Sequence, residues 1–338
     1  MGRPAFLIRI LLYCLIAVVA GCASAPQTQQ LLQSTSGLPG HSEITDTPFF
    51  PQQRYQCGPA ALATVLKHSG VAIDAAALVD EVYLPSRQGS LQIEILASSR
   101  RHGRLPYRIP PEMTALLREI AAGNPVLVLQ NLALSWAPQW HYAVVVGFDM
   151  AQREIILRSG TEPRHRIDMH TFEHTWARSG YWGIVVLPAD RLPATATAEA
   201  YLRGVVDLES TRQADRWQRV NTAYRTALSR WPHNLVAQMG LGNSAYQLAD
   251  LDAAEQAFRN AIHDHPEAAA AHNNLAQVLL EQALSARPPV NQSAEKGARS
   301  EALREAESHA QRAVALGGPH AESYRATLSD IQQAQEKD

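Results

Sequence analysis

Cysteine is scarce in this chain: three residues in 338, namely Cys14, Cys22 and Cys57. So few exclude a disulfide-stapled scaffold and a multi-cysteine metal site. An excess of one charge is missing too. The formal net charge is −2 and charged residues are 18% of the chain, which gives no basic field for nucleic acid, and no nucleic-acid partner is expected. Nothing in the chain asks for a cofactor or a metal, and none is expected. What is present is a 46% apolar fraction over 338 residues, enough for two modest cores.

The first 21 residues carry Arg3 and Arg9, then an apolar stretch from Ile10 to Ala20, then Val19-Ala20-Gly21-Cys22. A small-residue processing site closes the stretch, so it reads as a signal peptide rather than a spanning helix. Val-Ala-Gly-Cys resembles a bacterial lipobox. That resemblance implies cleavage before Cys22, acylation of Cys22 as a membrane anchor, and, because Ala23 follows in place of an aspartate, an outer-membrane address on the periplasmic side. Cys14 then leaves with the leader and Cys22 is blocked, so Cys57 is the single free thiol in a compartment that oxidises cysteine pairs. Buried packing as a small hydrophobe is the plain alternative for it.

Composition divides the rest. Residues 22–47, with Pro26, Gln27, Gln29, Gln30 and scattered Ser, Gly and Thr, read as a flexible lipidated tether. Residues 48–188 mix helices and strands. Helices are expected at Gly58–Ser69, Leu91–His102 and Glu112–Ala122, and strands rich in Val, Ile and Leu at Pro125–Gln130, Tyr142–Phe148, Glu154–Arg158 and Trp182–Leu187. Asp149–Gln152 turns the second strand into the third, which makes an α+β domain with an antiparallel sheet. Residues 189–211 read as a linker with one short helix near Glu199–Leu208. Residues 212–338 are alanine-rich and all-α, and Tyr224, Ala227 and Pro232 recur 34 residues later as Phe258, Ala261 and Pro266. Period and order resemble the tetratricopeptide repeat. About three units cover 212–318, the last split by a polar insertion at Ser285–Ser300, with Glu322–Gln335 as a capping helix. The repeats imply a protein partner on their surface.

Gln56-Cys57-Gly58-Pro59 opens an apolar helical run. Proline in the first turn costs no hydrogen bond, and a sulfur placed there faces unpaired N–H groups that favour the thiolate. A neighbouring imidazole would favour it further and later return the proton to a leaving group. His68 lies three turns down the same helix and cannot reach. His102 ends a separate helix and looks solvated. His141 opens an apolar strand next to Trp136 and Trp140, where a cleft edge is expected.

Residues 51–62, from Pro51 through Gln52 and Cys57 to Leu62, and residues 141–148, from His141 to Phe148, resemble the cysteine and histidine boxes of C39-type cysteine peptidases, which have a papain-like fold. The resemblance spans roughly 48–188 and implies a polypeptide substrate, Cys57 as nucleophile and His141 as general base and acid. It implies Gln52 as the side chain that helps hold the oxyanion, with Gln56 as second choice. The family usually places a carboxylate or amide some sixteen residues after the histidine to orient the ring. Here the strand ends Ile156-Leu157-Arg158-Ser159-Gly160 instead, and Ser159 and Asp149 are the candidates for that role. A papain-like groove that binds without cutting is the alternative.

One competing motif stands at His170-Thr171-Phe172-Glu173-His174, which matches the H-x-x-E-H of inverted zinc peptidases. Such a site needs a distant third ligand, and the two histidines are equally well read as the polar side of an amphipathic turn whose other side is Phe172 and Trp176. Trp136 and Trp140 lie in a loop-like stretch that suits a groove, whereas Tyr181 and Trp182 read as core.

Overall fold

The computed structural model describes residues 25–34, 37–52, 55–285 and 292–337. The expected signal peptide and the acylated Cys22 lie outside them. The chain divides into two compact units, 1–188 with 193–197 and 189–192 with 198–338.

Unit 1 is built on one antiparallel sheet. Its strands are β1 (His41–Glu43), β2 (Leu105–Arg108), β3 (Val126–Asn131), β4 (Trp140–Asp149), β5 (Glu154–Ser159), β6 (Glu162–Asp168) and β7 (Gly183–Leu187). The order is β2-β7-β3-β4-β5-β6, and β1 pairs with the far end of β4. Val, Ile and Leu fill β3, β4, β5 and β7 because those strands are covered on both faces, and a strand buried twice has no polar alternation to show. The two outer strands differ. Pro106 in β2 and Pro163 in β6 cannot donate to a ladder, and proline is confined to sheet edges for that reason.

On one face lies α2 (Cys57–His68), preceded by α1 (Pro26–Gln33) and followed by α3 (Gln92–Arg101). Leu62, Val65 and Leu66 of α2 pack with Leu127 and Leu129 of β3, Tyr142, Val144 and Val146 of β4, and Trp182. α4 (Met113–Ala121) and α5 (Met169–Ala177) complete the unit. Phe172 and Trp176 of α5 are fully buried, and Thr175 Oγ1 accepts from Gln130 Nε2 at 2.7 Å.

The stretch read as a flexible tether is corrected here for the residues described. α1 buries Thr28 and Leu31, and the Glu173 carboxylate of α5 accepts from the amides of Gln27 (3.1 Å) and Thr28 (2.6 Å). A carboxylate on the exposed amides of a helix start is favoured by both hydrogen bonding and the helix dipole. β1 then joins the sheet at His41↔Asp149. Composition hid this because only two residues of α1 are buried.

Unit 2 stacks α6 (Ala198–Glu209), α7 (Arg216–Arg230), α8 (Leu235–Gln247), α9 (Leu251–Asp264), α10 (Ala269–Ser285), α11 (Gln292–Leu316) and α12 (Ala321–Glu336). Asn234 and Asp250 cap α8 and α9 by accepting from Ala237 N (3.0 Å) and Ala253 N (3.2 Å). Tyr224 and Phe258 are buried on opposite sides of α8, and a Cβ added at Gly240 or Gly242 would lie 2.2 Å from the Tyr224 ring or 2.5 Å from the Phe258 ring. Glycine at both places lets adjacent helices approach closely. The expected linker is also corrected. α6 belongs to this unit through buried Tyr201, Leu202, Val205 and Leu208, with the Tyr201 hydroxyl 3.4 Å from the carbonyls of Ala189 and Ala223. Residues 193–197 belong instead to unit 1, where the buried Glu119 carboxylate of α4 accepts from Ala194 N (3.1 Å) and Thr195 N (2.8 Å). The polar insertion is shorter than its composition suggests, since α11 already begins at Gln292.

Candidate active site

A cleft of about 910 Å³ opens in unit 1 and is lined by Gln52, Cys57, His141, Tyr142 and Trp140, with the turn at 87–92 as another wall. Cys57 is the first residue of α2, and its N-cap Gln56 makes no side-chain capping bond. Helix entry fits the local sequence, because Pro59 is tolerated in the first turn and Gly58 leaves room for its neighbour. A Cβ at Gly58 would sit 2.1 Å from Ser90 Oγ. That turn is pinned over the sheet by the Tyr142 hydroxyl, which donates to Ser90 O at 3.3 Å.

The Cys57 sulfur meets the backbone of β4. Burial pushes its thiol above the ordinary value, and the amides of Tyr142, Gly58 and Cys57 itself pull the other way without prevailing. That direction runs against the expectation of a resting thiolate. Helix-start amides favour the anion, but desolvation of the half-buried Cys57 is the larger effect.

His141 lines the same cleft, and its Nε2 lies 2.9 Å from Ser159 Oγ. Burial lowers the imidazole to about 4, helped by repulsion from His165. Ser159 is neutral, so unlike a carboxylate it gives an imidazolium no charge to pair with. Among the described residues no hydrogen bond joins the Cys57 sulfur to the His141 ring. Strand alternation explains the offset: Tyr142 turns into the core beneath α2, and His141 turns the other way, paired across β3 with Gln130, which reaches α5. Both shifts favour the uncharged forms, thiol and neutral imidazole.

Gln52 stands at the cleft, where its Nε2 donates to Tyr142 O at 3.2 Å and its own amide donates to Gly160 O at 2.9 Å. Asp149 lies at the other end of β4, 3.7 Å from His41, and does not approach His141. His102 pairs with Glu81 at 3.0 Å. Trp140 lines the cleft, whereas Trp136, 82% exposed, does not; Trp182 is buried in the core. The H-x-x-E-H segment serves the fold: Glu173 caps α1 and His170 lies 3.6 Å from Asp168. Among the described residues no group of three or more His, Cys, Asp or Glu is placed to hold a metal ion.

Sequence reasoning missed Arg158. Its buried guanidinium donates to Thr47 O (3.2 Å), Thr45 O (3.4 Å) and Pro163 O, fastening the segment that leads to Gln52. An arginine inside the apolar run of β5 is the signal for it. The Tyr142 amide left no signal, because any residue there has an N–H.

Comparison with known proteins adds two matches. The Peptidase_C39 like family matches residues 44–184, and the tetratricopeptide-repeat family matches 212–259 and 239–287. Among solved structures, a putative C39-like peptidase from Bacillus anthracis is 15% identical, aligned over 44% of this chain and 98% of its own, with a TM-score of 0.38. The peptidase domain of Streptococcus ComA, a bifunctional ABC transporter of a quorum-sensing pathway, is 23% identical over 42% and 98%, with a TM-score of 0.34. A thermophilic tetratricopeptide-repeat protein of Thermus thermophilus is 14% identical over 41% and 82%, with a TM-score of 0.28. No curated protein matches. Both matched stretches fall on the units the fold separates, and the chain accordingly carries a C39-like peptidase domain followed by a tetratricopeptide-repeat domain.

Proposed function

We propose that unit 1 is a thiol-dependent endopeptidase acting on a polypeptide. The observation that carries this reading is one cleft lined by a helix-start cysteine and a strand histidine whose Nε2 is already engaged by Ser159. With Nε2–H donating to Ser159 Oγ, Nδ1 keeps its lone pair and is the nitrogen that takes the thiol proton. The sulfur then attacks the peptide carbonyl, forming the S–C bond. The oxyanion is held by the Cys57 amide and by Gln52 Nε2 once it leaves the Tyr142 carbonyl. His141 returns its proton to the amine as the C–N bond breaks, and water, activated by the same ring, releases the acyl group and restores the thiol.

A second reading is favoured by the missing Cys57–His141 bond: an adaptor that holds peptides in the cleft and a protein on the repeats without cutting. A peptide electrophile directed at thiols separates the two. Labelling of Cys57 that His141→Ala suppresses supports the enzyme; equal labelling in both proteins supports the adaptor. The lipobox-like segment further supports anchoring through acylated Cys22 at the periplasmic side of the bacterial outer membrane. Fatty-acid labelling that disappears in Cys22→Ser tests it.

A further inference from the structure

We propose that the cleft selects a peptide carboxylate next to an apolar side chain; this rests on the peptidase reading and names its substrate class. Among the described residues the charge lining the cleft is of one sign: Arg87 and Arg178 line it and no aspartate or glutamate does. Arg178 is exposed yet fixed in place, since its Nη1 donates to the carbonyls of Asn131 (3.2 Å) and Ala133 (2.9 Å). A guanidinium has five donors in a planar fork, so one anchored through a single nitrogen still presents an edge suited to a carboxylate. Arg87 stands on the exposed turn held by the Leu84↔Gly89 bridge.

The same walls carry large apolar side chains in water. Leu91 is 39% exposed, Tyr55 41% and Trp140 51%, and all three line the cleft. A ligand that is both anionic and apolar covers these groups and answers the two cations. A basic peptide would bring like charges together inside a concavity, where fields are focused rather than dispersed.

The test uses the full chain carrying Cys57→Ala, so that binding is read without turnover. Three fluorescent peptides share one apolar core: one flanked by glutamates and amide-capped, one flanked by lysines and amide-capped, one flanked by glutamines with a free carboxyl terminus. By anisotropy the glutamate peptide is expected to bind about tenfold tighter than the lysine peptide, with the preference shrinking as salt rises. Arg87→Gln, at an exposed turn that leaves the melting temperature unchanged, and Arg178→Gln are each expected to reduce it. Whichever peptide loses affinity in those variants identifies the carboxylate as side chain or chain terminus. Equal binding of all three, binding of none, or a preference that survives both substitutions overturns the proposal. The wild-type chain is then incubated with the same peptides. Selective binding without cleavage sinks the peptidase reading and leaves carboxylate selection standing; cleavage indifferent to charge does the reverse.

Discussion

At the residue scale, the partner of His141 sets the resting chemistry. Ser159 orients the ring and gives no charge, so Ser159→Asp is expected to raise the His141 pKa from about 4 by about 1–3 units, followed by the pH dependence of its ring resonances. In the unaltered protein the rate of Cys57 alkylation is expected to climb through pH 9 without a plateau near neutrality, because burial holds the proton on sulfur. A plateau between pH 6 and 8 would mean that an ion pair exists after all. What was legible in the sequence is the cleft: a cysteine before Gly-Pro and a histidine at a strand start both line it. Protonation was not legible, since it depends on how deeply the sulfur is buried, and helix-start amides suggest the opposite answer.

At the element scale, α1 depends on one carboxylate. Glu173→Ala removes the acceptor of two amides inside the fold, at a cost of about 2–3 kcal/mol. The denaturation midpoint should fall, and exchange at Gln27 and Thr28 should accelerate before that of β4. In unit 2, α10 and α11 meet through His272 and His309, whose Nδ1 atoms are 2.9 Å apart. His272 Nε2–H donates to Pro266 O, so its Nδ1 accepts from His309. Glu305, 3.9 Å from His309 and also paired with Arg259, faces a first added proton, whereas a second would oppose two donors. Burial and His272 lower the His309 pKa. Its stabilisation is thus complete above about pH 6.5 and is lost as pH falls below it. Thermal midpoints should drop from pH 7 to 5.5, and by less in His309→Gln. The strands that patterning found are the apolar ones. β2 and β6 escaped because Leu-Pro-Tyr-Arg and Glu-Pro-Arg-His-Arg-Ile-Asp are edge strands, whose prolines and charges read as loop.

At the scale of the whole molecule, two cores imply two cooperative units, with a boundary that composition misplaced. Residues 189–211 read as a linker, yet Ala194 and Thr195 within them donate to buried Glu119. A fragment ending at 188 is therefore expected to melt below one ending at 197, by calorimetry, because it strands a carboxylate in the core. In the repeats, the 34-residue stride from Tyr224 to Phe258 has its mechanical counterpart in Gly240 and Gly242. Each ring fills the notch where a methyl group would project, one from either flank of α8. Neither neighbour can slide along that helix without striking a side chain, so the stack is keyed like a lock.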